Sequence, residues 1–260
     1  MTSDSPLKDR LERNGALLRL TLARPKANLV DAAMIAALHG ALVAYRGATE
    51  MRGLRGVVLD AEGPHFSFGA SVEEHLPDRC AAMLQSLHAL ILAMLEFPAP
   101  ILVVVRGQCL GGGLELALAG SALFAAPDAQ FGQPEMKLGV FAPAASVLLP
   151  YRVPQPVAED LLFSGRSIGA DEAKAIGLVH TVFDDPEAAA LAYFDRQLAD
   201  KSAASLAWAI AAARGGMIRD VRHRLAEVER LYLDRLMSTR DANEGLLAFL
   251  AKRKPNWEHR

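Results

Sequence analysis

The 260-residue chain contains only two cysteines, Cys80 and Cys109. This number is too small for a disulfide framework, and neither cysteine has the spacing of a zinc ligand, so we expect reduced thiols. No apolar run approaches ~18 residues, the length that a membrane-spanning helix requires, and the N-terminus lacks the apolar core of a signal peptide. The formal net charge of −2 argues against non-specific nucleic-acid binding, which requires a strongly basic face. These absences predict a cytoplasmic protein with neither a nucleic-acid nor a membrane partner.

The remaining composition is that of a folded enzyme. Hydrophobic residues make up 52% of the chain and charged residues 22%, as is typical of soluble globular enzymes. The chain is long enough to bury a sizeable core, and it is long for one average domain, although single domains of this size occur. Composition therefore indicates a globular protein, and only the sequence motifs can indicate its chemistry.

The most informative stretch of the sequence runs from position 100 to position 135. It begins with five apolar, mostly β-branched residues, Ile101–Val105, which predict a short buried strand. Three consecutive glycines, Gly111–Gly113, then lead into the helical composition of Leu114–Ala119. Gly120 follows at the position of a helix C-cap. The pattern predicts a strand–turn–helix unit whose backbone another group approaches closely.

One backbone amide and two carboxylates in this stretch are candidates for proton chemistry. The first amides of a helix have no intrahelical partner and lie at its positive end, so the Gly112 N–H is well placed to hold a developing negative charge. Glu115 lies in the first helical turn, where the helix dipole favours its ionised form, and Glu135 follows twenty positions later. Two carboxylates near an oxyanion site predict proton transfer next to a carbonyl or thioester.

Each of these features also has a purely structural interpretation. Glycines at a strand–helix junction permit tight packing, and a glutamate in a first turn stabilises its helix through the dipole. Nucleotide binding is only weakly indicated, because the stretch has neither the G-x-G-x-x-G fingerprint nor the Lys-Ser/Thr pair of a phosphate loop.

Local patterns predict the remaining elements. Asn14-Gly15 between two apolar segments is a strong hairpin signal, and Asp31 has the position of an N-cap. The predicted strands are Leu7–Glu12, Ala16–Leu22, Leu54–Asp60, Ala122–Ala126, a short piece near Gln130-Phe131, and Leu178–Phe183. The predicted helices run from Asp31 to about Thr49, from about Asp78 to Phe97, over Ala170–Ile176, and almost continuously from Asp185 onward.

Two of the predicted helices are amphipathic. The apolar stripe expected on the first consists of Met34, Ile35, Leu38, Leu42 and Val43. The apolar positions expected on the C-terminal helix are Ile218, Val221, Leu225, Val228 and Leu231. Charged residues interleave with this second set, which indicates a solvated or subunit-contacting face.

Several blocks of the sequence together resemble the crotonase (enoyl-CoA hydratase/isomerase) superfamily. The blocks are R-P-K-A-N at 24–28, H-F-S-F-G-A-S at 65–71, G-Q-C-L-G-G-G-L-E at 107–115, A-Q-F-G-Q-P-E at 129–135, L-L-F-S-G-R-S-I-G-A-D-E-A-K-A-I-G-L-V at 161–179 and the A-N-E-G-L-L-A-F-L-A-K-R-K end. They cover nearly the whole chain in the family's order. The resemblance implies an α/β fold, with a superhelix of ββα turns over residues 1–195. It also implies a C-terminal helical module over residues 196–260, through which members form homotrimers or homohexamers.

The resemblance further implies a hydratase that acts on an enoyl- or dienoyl-CoA thioester. Coenzyme A would belong to the substrate, and no other cofactor and no metal would be required. The thioester oxygen would lie between the amides of Ala70 and Gly112, Glu115 would activate a water molecule, and Glu135 would deliver a proton to carbon. The other residues implied to contact substrate or coenzyme A are Arg24, Lys26, Ala27, Phe68, Ser71, Val72, Pro143 and Lys252.

Some of these positions have a second interpretation. The basic residues Arg24, Lys26 and Lys252 also fit a solvated loop and a charged C-terminus. Phe66 and Phe68 are expected to pack in the core, although either is also placed to wall a flat acyl group.

The chain departs from the common hydratase pattern near both ends of the implied site. A–P–A–A–S at 142–146 replaces a glycine-rich segment and adds bulk beside Glu135, while Ser71 replaces a frequent aspartate. Glu73 stands where a lysine often meets the coenzyme A phosphates. The added bulk argues against a straight-chain substrate and resembles hydratases of cyclic dienoyl-CoA thioesters in the degradation of aromatic compounds. An enoyl-CoA isomerase, an acyl-CoA hydrolase and a non-catalytic RNA- or protein-binding member remain open alternatives.

Overall fold

Parallel strands and surrounding helices make up most of the structure. The computed structural model describes residues 5–260, and for residues 47–52 it describes the backbone alone. The described strands are β1 (Leu7–Glu12), β2 (Leu17–Leu22), β3 (Gly56–Ala61), β4 (Ile101–Val105), β5 (Gln108–Leu110), β6 (Ala122–Ala125), β7 (Gln130–Gly132), β8 (Ser167–Gly169) and β9 (Thr181–Val182). The described α-helices are α1 (Ala32–Arg52), α2 (Cys80–Leu95), α3 (Gly112–Ala119), α4 (Pro143–Leu148), α5 (Gln155–Ser164), α6 (Ala170–Ala175), α7 (Pro186–Tyr193), α8 (Ala203–Asp234) and α9 (Arg240–Leu250).

The strands form two sheets. The larger sheet has the order β1-β2-β3-β4-β6-β9, and the smaller has the order β5-β7-β8. In the larger sheet only the β1–β2 pair is antiparallel, so the later strands require crossover connections, several of which contain helices. Two isolated bridges, Val30 to Ala70 and Ser67 to Cys109, join the loop that precedes α2 to the rest of the fold.

The predicted hairpin is confirmed. Leu7 lies opposite Leu22, and Glu12 lies opposite Leu17. Asn14 adopts a left-handed conformation with a φ of 57°, which asparagine tolerates better than most residues because its short polar side chain bonds locally.

Strand β4 lies at the centre of the fold, as its composition predicts. All five residues of Ile101–Val105 are buried. Successive side chains of a strand point to opposite faces, so Val103 packs in the larger core while Leu102 and Val104 pack in a second cluster with Phe124. Helices α1, α2 and α8 contribute to the larger core, and α7 covers the second cluster.

Helix α1 begins as predicted, because Asp31 accepts a hydrogen bond from the backbone nitrogen of Met34 at 2.9 Å. The predicted stripe is buried apart from Val43, which is 59% exposed. Including Val43 was wrong, since it lies at the edge of the stripe, about 100° around the helix from Leu42.

The C-terminal half of α8 also differs from its predicted stripe. Leu231 is exposed, whereas Val221, Leu225 and Tyr232 are buried. Positions 221, 225 and 232 follow the i, i+4, i+11 spacing of one helical face. Tyr232 therefore takes the inward position that the sequence pattern assigned to Leu231.

Two other predictions need correction. The strand predicted over Leu178–Phe183 is reduced to β9, because the amides of Leu178 and Val179 bond to the carbonyl oxygen of Ala173 in α6 instead of to a strand. Gly120 does cap α3, but its φ of −65° is not left-handed. A Cβ atom there would lie 2.4 Å from the side chain of Val103, so glycine is required for the close approach of α3 to β4. The helical structure predicted from Asp185 onward ends at Leu250, so it was wrong for the last ten residues, 251–260, which form no helix. The remaining predicted strand and helix boundaries differ from the structure by no more than three residues.

None of the helices in the described part of the chain has the length and apolar composition needed to cross a bilayer.

Candidate active site

The candidate active site begins at the turn between β5 and α3. Gly111 has a φ of 50° and a ψ of −129°, a combination that glycine adopts far more readily than other residues. A Cβ atom at Gly112 would lie 3.1 Å from the backbone nitrogen of Ala70, so two backbone segments meet with no side chain between them. Among the loop, turn and cap backbone hydrogen bonds of the described residues, none is donated by Ala70 or Gly112. The turn therefore brings the backbone of Ala70 and of Gly112 close together, and their role in holding a developing negative charge stays a prediction.

A buried serine holds the loop that carries Ala70. The Oγ atom of Ser67 donates to the backbone oxygen of Asn28 at 2.8 Å and accepts from the amide of Gly69 at 3.0 Å. A Cβ atom at Gly113 would lie 2.6 Å from the Cβ atom of Ser67. The first turn of α3 therefore packs directly against this serine, and the packing fixes the distance between the two amides.

Glu115 projects from the first turn of α3 into a buried environment. Its exposed fraction is only 3%, and its Oε1 atom accepts a hydrogen bond from the amide of Ala145 at 2.8 Å. Burial raises the pKa of Glu115 to about 7, although the amides of Ala145 and Ala144 oppose the increase. At the C-terminal end of α3, Arg152 donates a hydrogen bond to the backbone oxygen of Leu118. Its positive charge stabilises this end of the helix, where the helix dipole is negative. A carboxyl group with a pKa near neutrality is suited to acid/base catalysis.

Glu135 lies in the 3₁₀ turn Pro134–Leu138 and is half-buried. A Cβ atom at Gly111 would lie 2.7 Å from its Oε1 atom, which places the carboxylate against the glycine turn. Burial and the negative charge of Glu115 raise the pKa of Glu135 to about 8. The two carboxyl groups are therefore electrostatically coupled and titrate as a pair.

The buried side chain of Gln133 supports Glu135. With the amide nitrogen of Gln133 turned toward Glu135, it donates to both carboxylate oxygens, at 3.0 and 3.1 Å. With its oxygen turned toward a protonated Glu135, the same amide accepts a hydrogen bond instead. Gln133 therefore serves either protonation state of the carboxyl group.

A cavity of about 670 Å³ opens beside Glu135, a volume typical of small-molecule sites. The predicted site residues on its wall are Phe68, Ala70, Ser71, Val72 and Glu135. Gly111 also lies on the wall. The predicted site residues Gly112 and Glu115 follow it along the chain, but they are buried and are not among the residues that line the cavity. Helix α9 contributes a further part of the wall.

Phe68 differs from its expected place. Phe66 is buried in the core as expected, but Phe68 is 42% exposed and lines the cavity, so the expectation of core packing was wrong for Phe68. Its ring packs edge-on against His65, with centroids 4.9 Å apart. The left-handed turn at Gly69, with a φ of 104°, takes the chain away from the core at this point.

The predicted residues of the first basic loop lie off the cavity wall. Arg24 forms an ion pair with Asp31 at 2.5 Å, and Lys26 is exposed. The backbone oxygen of Ala27 accepts a hydrogen bond from the amide of Phe68 at 2.9 Å, so this loop supports the cavity wall from behind. A role for these residues in binding coenzyme A stays a prediction.

Two predicted residues near the C-terminal half of the chain also lie off the wall. Pro143 is buried in the first turn of α4, and Lys252 is exposed. The basic residues that do line the cavity are Lys137 and Arg253. Arg253 pairs with Glu244 of α9. Contacts of Pro143 and Lys252 with substrate stay predictions.

Several residues that shape the site escaped sequence reasoning. Ser67 and Gln133 lie inside the motif blocks at 65–71 and 129–135. They are polar residues among apolar ones, and this pattern could have identified them as residues of the site. The amide of Ala145 had none, because a backbone contact thirty positions from Glu115 leaves no trace in residue type. Lys137 lies next to a motif block but outside it.

Comparisons with known proteins agree with the fold and show the family. The family model described as enoyl-CoA hydratase/isomerase matches residues 12–260. The chain is 62% identical over 258 residues to the cyclohexa-1,5-dienecarbonyl-CoA hydratase of Thauera aromatica, which covers 99% of both chains. It is 33% identical to the carnitinyl-CoA dehydratase of Salmonella arizonae, over 96% of this chain and 97% of the relative.

Solved structures show the same architecture. An enoyl-CoA hydratase/isomerase from Pseudoalteromonas atlantica superposes with a TM-score of 0.84 at 28% identity, over 97% of this chain and 99% of that one. An enoyl-CoA hydratase from Mycobacterium avium superposes with a TM-score of 0.82 at 28% identity, over 98% of this chain and 100% of that one. The α/β fold implied by the sequence resemblance is therefore confirmed.

Proposed function

The chain belongs to the enoyl-CoA hydratase/isomerase family, and we propose that it is a hydratase that adds water to cyclohexa-1,5-diene-1-carbonyl-CoA. The observation that carries the hydration chemistry is the coupled pair of carboxyl groups, with raised pKa values, next to two adjacent backbone amides. The cyclic substrate is supported by the 62% identity with the hydratase of Thauera aromatica over nearly the whole chain.

The proposed reaction uses each part of this geometry. The thioester oxygen lies between the amides of Ala70 and Gly112, and the reacting water lies between Glu115 and Glu135. The water oxygen bonds to the ring carbon β to the carbonyl, a proton passes to Glu115, and the electron pair moves onto the thioester oxygen. The electron pair then moves back from the thioester oxygen into the ring, and Glu135 gives its own proton to the ring carbon at which that pair forms the new C–H bond. Loss of one such amide donor typically lowers the rate by about 10²–10³-fold.

The raised pKa values suit this division of roles. Near neutral pH the pair holds one proton between its two carboxyl groups, because the pKa values are about 7 and about 8. A hydratase needs one base and one acid at the start of the reaction, and a singly protonated pair supplies both.

The segment that departs from the common hydratase pattern supports Glu115. Pro143 and the residues after it form α4, whose Ala145 amide holds Glu115. The bulk that the sequence adds here is therefore part of a helix and not of a flexible loop. Helix α4 does not line the cavity, so its rigidity acts on the site by holding the carboxyl group of Glu115 in place.

A substrate panel tests the proposal. Purified protein is incubated with cyclohexa-1,5-diene-1-carbonyl-CoA, cyclohex-1-ene-1-carbonyl-CoA and crotonyl-CoA in water enriched in oxygen-18. We expect a mass increase of one labelled water, with the largest kcat/KM for the diene, and no reaction by the double variant Glu115→Gln, Glu135→Gln. Release of free coenzyme A would identify a hydrolase, and a rearranged product of unchanged mass would identify an isomerase. No turnover of any thioester would contradict the proposal.

The proposal extends to the oligomeric state of the protein, its location in the cell and its need for a cofactor or metal. We expect a homotrimer or homohexamer built through the helices after residue 195, and this is supported by Trp208 of α8, which is largely exposed on the protomer. We also expect a cytoplasmic enzyme that needs no cofactor or metal beyond the coenzyme A of its substrate. Light scattering on the purified protein measures the assembly, and activity after treatment with EDTA measures the metal requirement.

A further inference from the structure

A tyrosine behind the candidate active site has a hydroxyl group without a partner. Tyr232 lies on α8, and none of its surface is exposed. Its hydroxyl oxygen is one of the buried polar side-chain atoms of the described residues that make no hydrogen bond. A buried hydroxyl without a partner destabilises the fold, and phenylalanine at the same place avoids that cost. Such a group in a native structure requires an explanation, and a use in binding or catalysis is one of those known.

Tyr232 packs against the segment between Glu135 and α4. Its ring packs edge-on against Phe141, with centroids 5.3 Å apart. The residue before Phe141 donates its amide to the backbone oxygen of Glu135 at 3.2 Å, and α4, which follows, holds Glu115 through the amide of Ala145. Helix α8 packs against α4 and α2. Tyr232 thus contacts the segment that joins the supports of the two carboxyl groups.

The electrostatic surroundings of the hydroxyl agree with this position. Burial raises the pKa of Tyr232, and the charges of Cys80, Glu135 and Glu115 raise it further. The phenol therefore stays protonated in the fold, and a protonated phenol both donates and accepts hydrogen bonds.

We infer that the Tyr232 hydroxyl is a third hydrogen-bond partner of the oxygen atom that Glu115 and Glu135 handle. That oxygen belongs to water before the addition and to the hydroxyl group of the acyl product afterwards. The inference rests on the proposed hydration and adds a residue that orients the water and recognises the hydroxylated acyl group. Buried water in proteins typically has about three polar partners, and the phenol completes that number.

Tyr232→Phe removes the hydroxyl and keeps the ring against Phe141. We expect kcat for the diene to fall about tenfold, the effect of one lost hydrogen bond, with KM changed by less than about twofold. The unfolding temperature should stay the same or rise, because the variant loses only an unpartnered polar group. Tyr151→Phe is the matched control, since the Tyr151 hydroxyl bonds to Asp220 on the surface, and it should leave kcat unchanged. Wild-type kcat in Tyr232→Phe, or a loss of kcat that parallels a loss of stability, would overturn the inference.

A binding measurement separates this inference from the proposed function. Calorimetry compares 2-hydroxycyclohexane-1-carbonyl-CoA with cyclohexane-1-carbonyl-CoA. We expect the wild type to bind the hydroxylated thioester about tenfold more tightly and Tyr232→Phe to bind both equally. If the wild type hydrates nothing but shows this preference through Tyr232, the proposed hydratase function fails and the recognition role stands. If the wild type hydrates the diene but Tyr232→Phe keeps the preference, the role of Tyr232 fails alone. If the wild type neither hydrates the diene nor shows the preference, both fail.

Discussion

Replacing Glu115 by glutamine should make the protein more stable at alkaline pH while it removes activity. Burial raises the pKa of this carboxyl group from 4.5 to about 7. Each pKa unit corresponds to about 1.36 kcal/mol, so keeping the carboxylate ionised in the fold costs about 3 kcal/mol above pH 7. Glutamine has the same shape and still accepts the hydrogen bond from Ala145, but it carries no charge. The substitution also removes the charge that raises the pKa of Glu135, which adds to the effect.

The sign of the pH dependence follows from linkage. The folded-state pKa is higher than the unfolded-state pKa, so the unfolded chain releases this proton first as the pH rises. The contribution of Glu115 to stability is therefore fully present below about pH 4.5 and is lost as the pH rises through about 7. The free energy of unfolding of Glu115→Gln, relative to that of the wild type, should therefore be about 3 kcal/mol higher at pH 8.5 than at pH 4.5. This difference raises the melting temperature of the variant at pH 8.5, relative to the wild type, by on the order of 10 °C.

Calorimetric melting at pH 4.5 and pH 8.5 measures the difference in stability between Glu115→Gln and the wild type, and hydration assays measure the loss of activity. Activity should fall by about 10²–10⁴-fold, the usual loss for an acid/base group. Glu227→Gln is the matched control, because Glu227 is exposed on α8, and its melting temperature at pH 8.5 should lie within about 2 °C of that of the wild type. A stability difference between Glu115→Gln and the wild type that is the same at both pH values would refute the reasoning.

Three further predictions follow from the site and its packing. The profile of kcat/KM against pH should be bell-shaped with apparent pKa values of about 7 and about 8, because activity requires the singly protonated pair; a profile that is flat from pH 6 to 9 would contradict this. Gln133→Met removes the amide that donates to ionised Glu135, and this hydrogen bond to a charged group is stronger than the one that Gln133 accepts from the protonated form. The alkaline limb should therefore move to higher pH in the same assay, and an unmoved limb would contradict the support of Glu135 by Gln133. Gly113→Ala places a Cβ atom 2.6 Å from the Cβ atom of Ser67 and should cost about 1–3 kcal/mol in urea unfolding. Gly216→Ala on α8, which meets nothing within 4 Å, should instead stabilise by about 0.5–1 kcal/mol, and equal effects of the two changes would show that the packing argument is wrong.

The elements that sequence reasoning predicted correctly depend on interactions over a few residues. The hairpin at Asn14 follows from the left-handed conformation that this residue tolerates, and the start of α1 follows from the hydrogen bond of Asp31 to the third residue after it. Strand β4 is predicted by five consecutive apolar residues, because a strand buried on both faces needs no alternation. Where a prediction failed, a contact at longer range was decisive: Phe68 leaves the core because the chain turns at Gly69.

By itself, the sequence determined most of the longer strands and helices, the family and the identity of the two candidate acid/base glutamates, since local patterns and motif blocks carry these in residue type and spacing. Only the tertiary structure decided how the glutamates behave. The pKa of Glu115 depends on burial and on an amide thirty positions away, and the pKa of Glu135 depends on burial and the charge of Glu115. The unpartnered hydroxyl of Tyr232 lies 97 positions beyond Glu135 and 117 positions beyond Glu115 in the chain. Desolvation and charge coupling depend on distances in space, which no local sequence pattern encodes.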